Sequence, residues 1–171
     1  METRILGKSD LKVSTVCFGA WPIGGGMGRV DPQEAVKTIH AAINAGITFI
    51  DTAEGYQTSE SVLGQALKSR RDSVILATKL SGQDHSESHI RNALENSLSA
   101  LNTEYIDLYQ LHTPQPKWPI ENTMEILNDL KEEGKIRHIG LSNFTSEQTD
   151  EAMEYGPIVS SQPRYNLLFR Q

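Results

Sequence analysis

The fold turns on residues 49–60, FIDTAEGYQTSE. The segment begins as an apolar strand and stops on Asp51, then offers Glu54, Tyr56 and Glu60 within one turn's reach. A strand ending in a carboxylate, with a phenol five positions on, has two readings. It is either a strand end with a helix cap, or half of an acid–base pair whose other half lies elsewhere. The surrounding chain alternates strand-like and helix-like segments. Before it, ETRILGKSDLKVS reads as a hairpin turning at Gly7-Lys8-Ser9, and TVCFGA as a short strand. DPQEAVKTIHAAINAG reads as a helix capped by Asp31, with Pro32 in its first turn, Glu34 completing a capping box and Gly46 ending it. Ala35, Ile39, Ala42 and Ile43 form its buried stripe. After the segment, SVILATK, YIDLYQLH, IRHIGLSN and the start of IVSSQPRYNLL read as strands. Helical patterns separate them, one with Ile90, Leu94, Leu98 and Leu101 on one face and one capped by Thr145 with Gln148 closing the box.

Strict alternation implies parallel strands joined by right-handed crossovers, either a (β/α) barrel or a doubly wound open sheet. Polar residues favour the barrel. Asp51, Lys79, His112, Ser142-Asn143 and Gln162 each fall at or just past the C-terminal end of a different strand. In a barrel those ends converge on one mouth; in an open sheet they spread along a line. No Gly-x-Gly-x-x-Gly follows the first strand, and GGGMG at Gly24–Gly28 reads as a flexible loop over the mouth. The expected fold is therefore α/β, of (β/α)8 TIM-barrel type, with the N-terminal hairpin as a plug. A complete barrel of this kind needs at least about 200 residues. With 171, the expectation is a single incomplete barrel domain over residues 1–171, truncated after about six strands.

The net charge of −6 argues against a nucleic-acid partner, which favours a basic face. No apolar run approaches a membrane span, and the polar N-terminus lacks a signal-peptide core, so the expected location is the cytoplasm. Cys17 is the only cysteine and, in an apolar run, reads as a buried inert thiol.

The strand-end residues suit proton transfer. A phenol titrates near 10, too high to release its proton easily at neutral pH. A neighbouring ammonium favours the phenolate, and Lys79 is the candidate, held in turn by Asp51. His112 adds a neutral donor able to orient a carbonyl oxygen, and the group suits protonation of a developing alkoxide. A zinc site built from Asp51, Glu54 and His112 is the rival, but Lys79 is an awkward neighbour for a cation and no His-x-His or His-x-x-x-His pair is present, so no metal is expected. A Ser–His–Asp hydrolase lacks its Gly-x-Ser-x-Gly elbow.

DTAEGY, the strand-end TK, LYQLH, GKIRHIGLSNF and SQPRYN resemble, in order and spacing, the successive signatures of the aldo-keto reductases. The resemblance implies that Asp51, Tyr56, Lys79 and His112 are the catalytic tetrad, with Tyr56 the proton donor. It implies NADPH as hydride source, with NADH as the alternative, and an aldehyde or ketone as substrate. Ser142, Asn143 and Gln162 match residues that hold the nicotinamide carboxamide, and Asp51 and Trp21 match positions beside the cofactor. It also implies that the aromatic that stacks on the nicotinamide and the basic cluster for the adenosine phosphate follow the family's seventh and eighth strands, which lie beyond these six. The expectations are thus a reductase, or alternatively a non-catalytic fragment or regulatory subunit of the kind associated with channels, with self-association through open barrel edges.

Overall fold

The computed structural model describes residues 1–170. An antiparallel hairpin, β1 (Thr3–Ile5) with β2 (Lys12–Ser14), comes first. Six parallel strands follow: β3 (Cys17–Gly19), β4 (Phe49–Asp51), β5 (Ile75–Leu80), β6 (Ile106–Leu111), β7 (Ile136–Ser142) and β8 (Ile158–Gln162). Helices α1 (Pro32–Asn44), α2 (Ser59–Leu67), α3 (Glu87–Leu101), α4 (Ile120–Glu132) and α5 (Ser146–Glu154) connect them. The strands lie side by side in chain order, with no reversal. A doubly wound sheet reverses order at its switch point, so the sheet is a barrel arc. It forms an open half-barrel in which β3 and β8 each pair on one side only.

Side-chain alternation divides the strands between two cores. Ile50, Leu76, Tyr109, Leu111, Ile139 and Leu141 pack with the helices. Phe49, Ile75, Ala77 and Leu108 pack on the other face against Leu11, Val13 and Leu6 of the hairpin segment. The hairpin therefore plugs the concave side at the N-terminal ends of the strands. A charge network secures it: Asp107, 1% exposed, accepts from Arg71, Arg137 and the Leu76 amide. Arg137 reaches on to Asp10, which His138 also contacts at 2.6 Å. Asp51, Lys79 and Gln110 share the parity of the plugged face, one layer nearer the mouth.

Three local expectations are corrected. Asp31 caps α1 by accepting from the Gln33 and Glu34 amides, but there is no capping box, because the Glu34 carboxylate pairs with Lys37 at 2.7 Å instead. Cys17 is exposed, since it lies in the edge strand β3, which is paired on one side only. Its sulfur is still crowded by protein, and burial, with Asp51 adding to it, pushes the thiol up to about 12. The glycine-rich segment is also more structured than a free loop. Pro22–Gly24 forms one 3-10 turn, and a Cβ at Gly24 would run into the Tyr56 carbonyl.

Candidate active site

The C-terminal ends of β4, β5 and β6 bring the predicted acid–base residues together. Lys79, 0% exposed, donates to Asp51 Oδ2 at 2.5 Å and to the Thr52 carbonyl at 2.8 Å. An ammonium has three protons, so one remains for the mouth. The Lys79 Nζ lies 5.1 Å from the centroid of the Tyr56 ring, over its face. Tyr56 is half-buried in the turn after β4, where its amide bonds to Ala53 and its carbonyl to Ser59. His112, just past β6, meets Tyr56 edge-on, with ring centroids 5.5 Å apart and planes at 77°. Burial, reinforced by the Lys79 charge and opposed by Asp51, holds the His112 imidazole below its usual value, so it is neutral at pH 7.

The residues at the ends of β7 and β8 form a second group, tied to the first. Asn143 adopts the left-handed conformation, with φ of 61°, which asparagine tolerates better than most residues. Its amide nitrogen donates to the His112 carbonyl at 2.9 Å and to Ser142 Oγ at 3.0 Å. Ser142 Oγ donates to the Gln162 carbonyl at 3.3 Å. Among the described residues, Asn143 Oδ1 and the exposed Gln162 side chain have no hydrogen-bond partner, which leaves one acceptor and one donor–acceptor pair. A primary amide needs such a set. Trp21 stands apart, two residues beyond β3 and half-exposed, with its indole lying where a Cβ on Gly26 would be. Among the described residues, no three His, Cys, Asp or Glu side chains are grouped as a metal ion requires.

Sequence reasoning missed two residues that hold this group together. Gln110 sits opposite Lys79 in the β5–β6 register, and its Nε2 donates to Asp51 Oδ1 at 2.9 Å. The signal was a lone amide in the apolar run IDLYQL, two positions before His112. Ser81 follows Lys79 by two residues and contacts His112 Nδ1 at 2.8 Å. Nothing in local sequence marks it, because the contact joins two loops.

A buried carboxylate behind the site makes stability pH-dependent. Glu60, 6% exposed, accepts from Thr78 Oγ1 at 2.6 Å. Burial raises it above its ordinary 4.5 despite that bond. A carboxyl raised in the folded state contributes stability that is present below its unfolded value and lost as pH rises through its folded value. Glu60→Gln keeps an acceptor for Thr78 and cannot ionise. Its unfolding free energy, measured by urea denaturation from about pH 4 upward, is expected to decline less with pH than that of the parent.

Comparison with known proteins bears on this geometry. The sequence model of the Aldo/keto reductase family matches residues 15–171. The chain is 42% identical to the aldo-keto reductase YhdN of Bacillus subtilis, over all of this chain and 56% of that protein. It is 36% identical to the NADH-specific methylglyoxal reductase of Escherichia coli, over 99% of this chain and 60% of that one. The crystal structure of the thermostable aldo-keto reductase Tm1743 in complex with epalrestat superposes with a TM-score of 0.90 at 34% identity, covering 97% of this chain and 63% of that one. The chain thus spans a little over half the length of these curated relatives.

Proposed function

The chain belongs to the aldo/keto reductase family, and from that premise we propose that it reduces aldehydes or ketones to alcohols with NADPH, or with NADH, at the mouth described above. The observation that carries this reading is the buried Lys79 ammonium, fixed by Asp51 and Thr52 and set over the Tyr56 ring. A bound nicotinamide supplies hydride to the carbonyl carbon. The chain's own residues deal with the oxygen. His112 donates a hydrogen bond that orients the carbonyl and stabilises the charge that develops on it. Tyr56 gives its proton to the forming alkoxide, and the positive charge of Lys79 favours the phenolate left behind. Asp51 and Gln110 keep the ammonium in place. Asn143 Oδ1 and the Gln162 side chain fit the nicotinamide carboxamide, with Ser142 tying the Asn143 amide to the Gln162 backbone carbonyl. Trp21 is proposed to come beside the bound cofactor.

The test is carbonyl-dependent oxidation of NADPH and of NADH across short aliphatic and aromatic aldehydes, with a chain of verified mass. Consumption that requires aldehyde supports the reading. Saturable cofactor binding with no consumption for any carbonyl overturns it in favour of a binding or regulatory role. The reading places the work in the cytoplasm and includes self-association. The strands β3 and β8 have unpaired edges, and Leu167 and Leu168 are 83% and 90% exposed. Unpaired edges and exposed apolar groups template pairing with another chain. Sedimentation is expected to show a mass that rises with concentration, and a monomer at every concentration counts against self-association.

A further inference from the structure

We infer that Ser81 is a positioning residue whose hydroxyl sets the tautomer of His112, accepting from the Gly55 amide and donating to His112 Nδ1. The distances are 3.3 Å from Gly55 N and 2.8 Å to His112 Nδ1. A backbone N–H can only donate, so Ser81 Oγ is an acceptor towards Gly55. Its own proton then needs an acceptor, and His112 Nδ1 is the one the hydroxyl reaches among the described residues. A neutral imidazole carries one proton. With Nδ1 accepting, that proton is on Nε2. Nε2 has no partner among the described residues and is the donor that a substrate carbonyl oxygen needs. The opposite tautomer would leave the serine proton without an acceptor among the described residues and turn a lone pair towards that oxygen.

Ser81 also joins the three loops that carry the site. Its amide donates to Glu54 Oε1 at 2.5 Å, in the loop that bears Tyr56. It follows β5, which bears Lys79, and its hydroxyl grips the residue that follows β6. The His112 amide and carbonyl are fixed as well, to the Leu80 carbonyl and Asn143 Nδ2. The backbone of His112 is thus anchored, its ring packs edge-on against Tyr56, and the hydroxyl chooses the tautomer.

The role in reduction rests on the proposed function, whereas the tautomer itself does not. The test is long-range proton–nitrogen correlation NMR on the 171-residue chain labelled at histidine nitrogens, with His112 assigned by the signal lost in His112→Gln. At pH 7 His112 is expected as the Nε2–H tautomer. Ser81→Ala is expected to convert it to the Nδ1–H form or an averaged pair, and Ser81→Thr, which keeps the hydroxyl, to restore the parent pattern. A parent chain with Nδ1–H, or an unchanged tautomer in Ser81→Ala, overturns the inference. In turnover, Ser81→Ala is expected to lower kcat about ten- to a hundredfold with the Kd for NADPH unchanged. If no carbonyl is reduced, the proposed function fails and the NMR pattern still decides the role of Ser81.

Discussion

Asp51→Ala is expected to destabilise the chain by about 3–5 kcal/mol, the range for breaking a buried ion pair by removing one partner. Lys79 has no exposed surface, and its ammonium would keep only the Thr52 carbonyl as acceptor. Gln110 Nε2 would lose its acceptor in the same step. Such a loss is a large share of a typical domain's stability of about 5–15 kcal/mol. Urea unfolding measures it. Because the damage comes from an orphaned charge, Asp51→Ala combined with Lys79→Met is expected to be more stable than Asp51→Ala alone. A double variant as unstable as the sum of the two singles would mean that the pair does not interact as its 2.5 Å separation implies.

Tyr56→Phe is expected to lower kcat for carbonyl reduction by about 10²- to 10⁴-fold, the usual contribution of a positioned general acid. The ring remains, so its packing against His112 and over Lys79 is kept, and only the phenolic proton is removed. Cofactor affinity should therefore stay within error of the parent, which separates loss of the acid from loss of the site. Reduction of an aldehyde by Tyr56→Phe at the parent rate would remove Tyr56 from that role.

Apolar patterning and turn punctuation were enough to locate all six strands of the arc and the helical patterns that alternate with them. Strand ends carrying Asp51, Lys79 and His112 pointed to one mouth because equivalent positions in successive βα units converge in a barrel. Side-chain partnerships were less legible. Gln110 supports Asp51 because it faces Lys79 in the register, and a single strand's sequence does not reveal its neighbour's alignment. Ser81 meets His112 across a loop–loop contact spanning 31 residues of chain. The exposure of Cys17 follows from an unpaired sheet edge, a property of the whole arc that its apolar neighbours do not report. Glu34 shows competition between local partners: the pattern of a capping box was present, and a lysine one turn away took the carboxylate.

The most direct measurement is transfer of a labelled hydride. The chain is incubated with NADPH carrying two deuterium atoms at C4 of the nicotinamide and with an aldehyde, and the alcohol is examined by mass spectrometry. The predicted result is deuterium on the carbinol carbon with the parent chain, falling at least about a hundredfold with Tyr56→Phe. Undeuterated alcohol, or none from a chain that binds the cofactor, would contradict carbonyl reduction at the Asp51–Tyr56–Lys79–His112 mouth.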